Sequence, residues 1–282
     1  IFGKCGLPAL GIQGAAVATL LARITEFAVC SFCAVRSRLL PIQWRAFFRP
    51  GWEMLRRFVK YSSPVILNET AWGLGNSMLT VILGYTDNSV EMLAANAVMC
   101  NLNRLFLVVC FGLGAATAVI IGKSIGEGRS HQEVMDLSRT LLVFTALVGA
   151  GLTVLSLLLV PTLFVPVVFP LFKLYGESAA IATELAVTGF LSIPLHAYSI
   201  SAVTGVLRAG GDVFWSTLLD VGPQWCMALP LTALLALVLK ADYWWIAAAI
   251  QSESLLKVPL CALRIRTGQW IHDVTVRKER GQ

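Results

Sequence analysis

The sequence predicts an all-α membrane protein of about seven transmembrane helices, one preceding helix and then a six-helix lobe. Three observations carry this expectation. Of 282 residues, 57% are hydrophobic and only 13% charged, where a soluble domain carries about 25% charged residues. Apolar stretches near 10–34, 58–85, 93–121, 137–160, 181–206, 213–238 and 242–265 reach the roughly 20 residues that a spanning helix needs. Basic residues crowd into alternate connections, the positive-inside pattern.

Residues 1–35 hold the first helix. No basic run or cleavage site precedes its apolar stretch, so no signal peptide is expected. The chain opens on Ile1 and reads as the tail of something longer. Arg23 pairs with Glu26 at helical spacing. Cys30 and Cys33 have the spacing of a redox or metal pair, but no second pair supports them. With Cys5, Cys100, Cys110, Cys226 and Cys261, they read as small apolar packing residues, and no metal is expected.

Residues 36–60 form a basic linker. Arg36, Arg38, Arg45, Arg49, Arg56, Arg57 and Lys60 interleave with Trp44, Phe47, Phe48, Trp52, Leu55 and Phe58. This suits a segment lying on the cytoplasmic interface, or a solvated linker with anchoring aromatics.

Residues 61–270 form the six-helix lobe, and 271–282 a cytoplasmic tail. Short connections (YTDNSVE, GEGRSHQEVMD, RAGGD) make sequential helices antiparallel. Pro194, Pro223, Pro230 and Pro259 fall in mid-span, where proline frees a carbonyl and kinks the helix. Gly112, Ala116 and Gly122 are expected at close helix contacts, which small residues permit.

The net charge of +6 does not point to nucleic acid, because its distribution follows the connections. Lys123, Arg129, Arg139, Arg208, Arg264 and Arg266 share the parity of the linker; between residues 86 and 92 there is no base. The pattern puts the C-terminus and Ser130 in the cytoplasm, and Asn88 outside. The expected location is the plasma (inner) membrane, crossed many times.

Enzyme chemistry is not expected. Gly122-Lys-Ser-Ile-Gly126 matches G-x-S-x-G, but a nucleophile elbow needs a strand before its serine. Here a helix precedes Ser124 and a basic loop follows. The three histidines lack HExxH spacing, and no Walker loop exists. Transport energy would then come from an ion gradient, with Na⁺ or H⁺ as coupling ion and no other cofactor.

The central candidate is Glu69, a carboxylate inside PVILNETAWGLGNSMLTVIL. A charge at bilayer depth costs a few kcal/mol and marks an ion or proton site by default. Its neighbours at helical spacing, Val65, Ile66, Trp72 and Gly73, include no base. Trp72, Asn76 and Thr80 share its face on a 3.6-residue period, with Asn68 beside it. A carboxylate next to an aromatic suits an organic cation. The competing reading is a protonated glutamate that glues helices together.

Arg104 is the second unusual charge, with Asn103 beside it. It is expected to pair with Glu69, to answer Asp220, or to snorkel. Glu253 has Lys257 four residues on and reads first as an internal ion pair. His196 shares a face with Ser192 and Ser199, and either relays protons or packs beside Pro194.

PVILNETAW, GLGAATAVIIGKSIGEG (Gly112 to Gly128), GVLRAGGD (Gly205 to Asp212) and RIRTGQW (Arg264 to Trp270) resemble the multidrug and toxic compound extrusion (MATE) family, in a bacterial branch. The resemblance covers nearly the whole chain. It implies twelve helices in two pseudo-symmetric lobes, of which this chain looks like the sixth helix plus the entire second lobe. It implies efflux of drugs or organic cations driven by inward Na⁺ or H⁺, with Glu69 in the coupling or binding site. The implied partners are the bilayer, small organic cations and a missing N-terminal lobe. Two other readings stand beside it: a lipid-linked saccharide flippase of the same superfamily, and a truncated half that inserts but moves nothing.

Overall fold

The computed structural model describes residues 11–36 and 51–271, and every regular element among them is helical. The chain divides into two compact units, Ile1–Val59 and Lys60–Gln282. In the first, α1 (Gly11–Arg36) is a 26-residue helix. Its large side chains, Leu20, Phe27 and Phe32 among them, are exposed. Cys30 and Cys33 are exposed too, so they do not pack as expected.

Helix α2 (Trp52–Leu83) runs for 32 residues and starts inside the segment expected to be linker as far as residue 60. Trp52 and Phe58 lie exposed on its first turns. The linker residues Arg38, Arg45, Arg49, Trp44, Phe47 and Phe48 lie outside the described residues, as does the tail after Ile271.

The second unit continues with α3 (Ser89–Gly126), α4 (His131–Leu171), α5 (Glu177–Leu191), α6 (Ile193–Leu207), α7 (Val213–Val238) and α8 (Tyr243–Arg266). Helices α1, α3, α4, α7 and α8 are long and apolar enough to cross a membrane; α5 and α6 add a sixth span if counted together across their 46° bend. The seventh expected span, α2, has the length, but Asn68, Glu69, Thr70, Asn76 and Ser77 interrupt its apolar run.

Local sequence sets the breaks. Ser130 and Glu133 form a reciprocal capping box that starts α4, satisfying two otherwise unpaired N–H groups. The α5–α6 bend falls at Ser192, whose hydroxyl donates to the Gly189 carbonyl at 2.7 Å. Pro194 follows in the first turn of α6, where a missing N–H costs least. Wider π turns interrupt α4 at Val160–Val168, α6 at Ser201–Leu207 and α7 at Gln224–Ala228 and Leu234–Val238. Pro223 and Pro230 flank the first of those in α7, whereas Pro259 sits inside an unbroken α8.

Helix α6 is the centre of the lobe. Ile193, Ala197, Ala202, Val203, Val206 and Leu207 are all at most 1% exposed. Glycines let neighbours approach it: Gly114 and Gly205 on the α3–α6 crossing, Gly149 on the α4–α6 crossing against Pro194 and Ala197. Such close approach replaces the hydrophobic effect where lipid is the solvent. The expected contacts at Gly112, Ala116 and Gly122 are not formed. Nothing lies within 4 Å of where a Cβ would sit on Gly112 or Gly122, and Ala116 is exposed. The packed stripe of α3 runs through Gly114, Thr117 and Ile121 instead.

Apolar packing concentrates at two ends. One cluster joins Met92, Phe169, Ile181, Phe190 and Ile246, with Phe106 and Phe190 edge to face at 5.3 Å. The other joins Ile121, Val134, Leu207, Ile265 and Trp270. A band of charged and polar side chains reaches α6 between α2, α7 and α8, and it is the functional candidate.

Candidate functional site

Helix α2 buries one narrow stripe: Asn68, Gly75, Leu79 and Leu83. Gly75 makes room for the Gln224 side chain of α7. The Thr217 hydroxyl donates to the Pro64 carbonyl, and the Trp225 indole N–H to that of Ala71. Helix α2 therefore lies along α7 by its polar groups.

Glu69 is one residue round from this stripe, with its side chain 61% exposed. Trp72, Asn76 and Thr80 are exposed on its face, as the period requires. The Asn76 amide donates to the Trp72 carbonyl and the Thr80 hydroxyl to that of Asn76. Both hydrogen bonds stay within α2.

Asn68 turns inward instead, 1% exposed. Its amide donates to Asp220 Oδ2 at 2.9 Å and lies 3.4 Å from Glu69 Oε1. Asn68 was expected to line a substrate path; its burial makes it an internal link between α2 and α7.

Two bases complete the centre. Arg208, at the end of α6, places Nη1 3.3 Å from Glu69 Oε1 and Nη2 3.6 Å from Asp220 Oδ2. Lys257 of α8, 5% exposed, places Nζ 3.0 Å from Asp220 Oδ1 and 4.0 Å from Glu253 Oε1. Glu253 in turn lies 3.8 Å from His196 Nε2. The Ser254 hydroxyl is 3.2 Å from His196 Nδ1, which also faces the Ser192 carbonyl at 3.2 Å. Ser192 connects onward to Gln251 at 3.1 Å. One chain of polar and charged side chains thus runs Glu69, Arg208, Asp220, Lys257, Glu253, His196, drawing on α2, α6, α7 and α8.

The sequence picked out Glu69, Asn68, Asp220, Glu253 and His196; the fold brings four of them into this chain and sets Asn68 beside it, on Asp220. It missed Arg208, read as a loop base, and it gave Lys257 only its helical neighbour. Arg104 answers neither acid: it is exposed, and among the described residues no carboxylate lies within ion-pair reach of it. Asn103 packs its amide against Gly189 of α5, and the Ser199 hydroxyl is buried without a partner. Neither joins the charges.

Residues 64–220, from the proline before Asn68 to Asp220 itself, match the MatE family model. The chain belongs to the MatE family. Among relatives of MatE type, the probable multidrug resistance protein NorM of Thermotoga maritima is 20% identical over 99% of this chain and 58% of its own length. The multidrug resistance protein MdtK of Edwardsiella ictaluri is 26% identical over 94% of this chain and 58% of its own. The eukaryotic MATE transporter AtDTX14 superposes with TM-score 0.76 at 18% identity, covering 95% of this chain and 58% of that one. The chain therefore spans somewhat over half the length of these relatives.

MatE proteins are multi-pass membrane transporters, not enzymes. The G-x-S-x-G match agrees with that. Ser124 lies inside α3, and its hydroxyl is spent on the Ile120 carbonyl at 2.8 Å.

Proposed function

We propose that this chain forms the second lobe of an exporter that carries organic cations outward in exchange for inward Na⁺ or H⁺. The observation that carries the reading is Glu69, an exposed carboxylate on an otherwise membrane-length helix, whose counter-charge comes from another helix at 3.3 Å. A carboxylate at that depth is stable with a proton, a metal cation, an organic cation or a basic side chain. It exchanges one for another at little cost if none is bound tightly. Trp72, one turn along on the same face, adds an aromatic surface suited to organic cations. A flippase for anionic lipid-linked saccharides would need spare positive charge. Arg208 and Lys257 are both matched by Glu69, Asp220 and Glu253, so the cluster offers none.

Glu69→Gln removes the exchangeable charge and keeps the shape. In the full-length protein, gradient-driven efflux of ethidium from vesicles should fall at least tenfold, with insertion unchanged. A Na⁺ gradient at constant pH and a pH gradient without Na⁺, applied separately, identify the driving ion. Efflux at the parent rate in the variant would reduce Glu69 to a structural role.

Orientation follows from charge. The end carrying Arg129, Arg208 and Arg264 should face the cytoplasm. A cysteine at Ser130 should then react with an impermeant maleimide only in inverted vesicles, and one at Asn88 only in intact cells. The reverse pattern would overturn the topology.

A further inference from the structure

We propose that Arg208 is a built-in counter-cation, which occupies Glu69 when no transported cation is bound and withdraws to Asp220 when one arrives. This rests on the reading of Glu69 as the cation-binding group.

Among the described residues, the arginines of the lobe that meet carboxylates distant in sequence are Arg264 and Arg208, and their contacts differ in kind. Arg264 grips Asp212 with Nε and Nη2 both at 2.8 Å, and its guanidinium also stacks over Trp215 at 4.9 Å. Asp212 is buried. Both Arg264 contacts are short and charge-assisted, from two nitrogens to the one oxygen Oδ2, as in a fixed structural pair. Arg208 touches Glu69 with one nitrogen at 3.3 Å, and Asp220 with the other at 3.6 Å. Both contacts are longer than the usual charge-assisted distance of about 2.7–2.9 Å. Its Nε is buried without a hydrogen-bond partner. An orphaned buried donor raises the energy of the pose that creates it. Arg208 is therefore held loosely, between two acids.

The two acids are unequal hosts. Glu69 is 61% exposed and has Arg208 and a long contact from Asn68. Asp220 is 20% exposed and already anchored by Lys257 and Asn68. A carboxylate accepts about four hydrogen bonds, so Asp220 has room for a guanidinium that leaves Glu69. A cation arriving at the exposed side of Glu69 meets a carboxylate whose present partner has somewhere to go. The lobe then never leaves either carboxylate bare, in the loaded or the unloaded state. Arg208 also imposes a threshold: a ligand must attract Glu69 more strongly than a single guanidinium contact does. Neutral compounds fail it.

Ethidium binding to the full-length protein in lipid nanodiscs, read by fluorescence anisotropy, tests this. Arg208→Gln removes the competitor, and the dissociation constant should fall about fivefold, as expected for loss of a weak partly exposed pair. Glu69→Gln should weaken binding at least tenfold, and adding Arg208→Gln to it should recover nothing. If Arg208→Gln leaves affinity unchanged or weakens it while Glu69→Gln still abolishes binding, the competition is refuted and the role of Glu69 stands. If Glu69→Gln binds like the parent, both are refuted. Should Arg208→Gln fail to fold, Arg208→Lys keeps the charge on a shorter, single-point donor. It should tighten binding about twofold, and no change there would equally overturn the proposal.

Discussion

Replacing Lys257 by methionine is expected to cost the lobe about 3–5 kcal/mol. The substitution conserves length and apolar volume, so packing changes little. What it removes is the base that joins Asp220 to Glu253: Nζ lies 3.0 Å from one and 4.0 Å from the other. Those carboxylates are 20% and 13% exposed, so water replaces little of the lost charge. Asp220 keeps Asn68 and a long contact to Arg208, and Glu253 keeps His196 at 3.8 Å. Breaking a buried pair by removing one partner is costly because the other stays behind charged. Adding Asp220→Asn should therefore restore about 2 kcal/mol, a coupling within the range for residues in direct contact. Reversible unfolding in mixed detergent micelles measures all three. A Lys257→Met variant within about 0.5 kcal/mol of the parent would mean the network is structurally idle.

Trp270→Ala should be comparably damaging, by about 3–5 kcal/mol. The indole is 0% exposed and its N–H donates to the Ile265 carbonyl at 3.1 Å. It lies on Gly210, in the turn between α6 and α7, where a Cβ would collide with both ring and backbone of Trp270. Gly268, with φ +69°, turns the chain back after α8 and passes close to His131 at the start of α4. Trp270 thus pins the end of α8 to the turn that carries Arg208. Its loss should open this end alone. Cys261 belongs to the same apolar cluster and Cys110 to the other, both 0% exposed. With the remaining cysteines replaced by alanine, maleimide should reach Cys261 much faster in Trp270→Ala and leave Cys110 as slow as before. Equal rates at both would show that Trp270 holds nothing in particular.

The helices were legible because apolar length is a property of the chain alone. The Glu69 face was legible because period 3.6 is fixed by the backbone, and Trp72, Asn76 and Thr80 do lie exposed with it. Partners across helices were not. Spacing rules see pairs three or four residues apart, so they found Lys257 with Glu253, the longer of its two contacts, and missed Asp220, 37 residues away. Arg104 had Glu69, Asp220 and the interface open to it, and it stands off the α3 stripe that packs, Met99, Leu102, Cys110 and Gly114. Arg208 does lie in the turn, as the first residue of RAGGD, but that placement does not reveal which acids it meets. The π turn over Ser201–Leu207 shifts the helix phase just before it, and Arg208 swings back into the body of the lobe.

Those wide turns also govern which changes of length the lobe tolerates. A π segment holds a surplus residue relative to α pitch. Deleting one residue between Val160 and Val168 lets the backbone relax to an ordinary helix, and Phe169 keeps its place in the core. The same deletion among the regular turns near Leu147 has no slack to draw on. It rotates everything downstream by about 100°, turning Ser156, Val160 and Phe164 out of the core. Insertions and deletions accumulated during divergence should therefore collect in Val160–Val168, Ser201–Leu207 and the two wide turns of α7, and residue-by-residue comparison of distant lobes is most secure when its gaps are placed there.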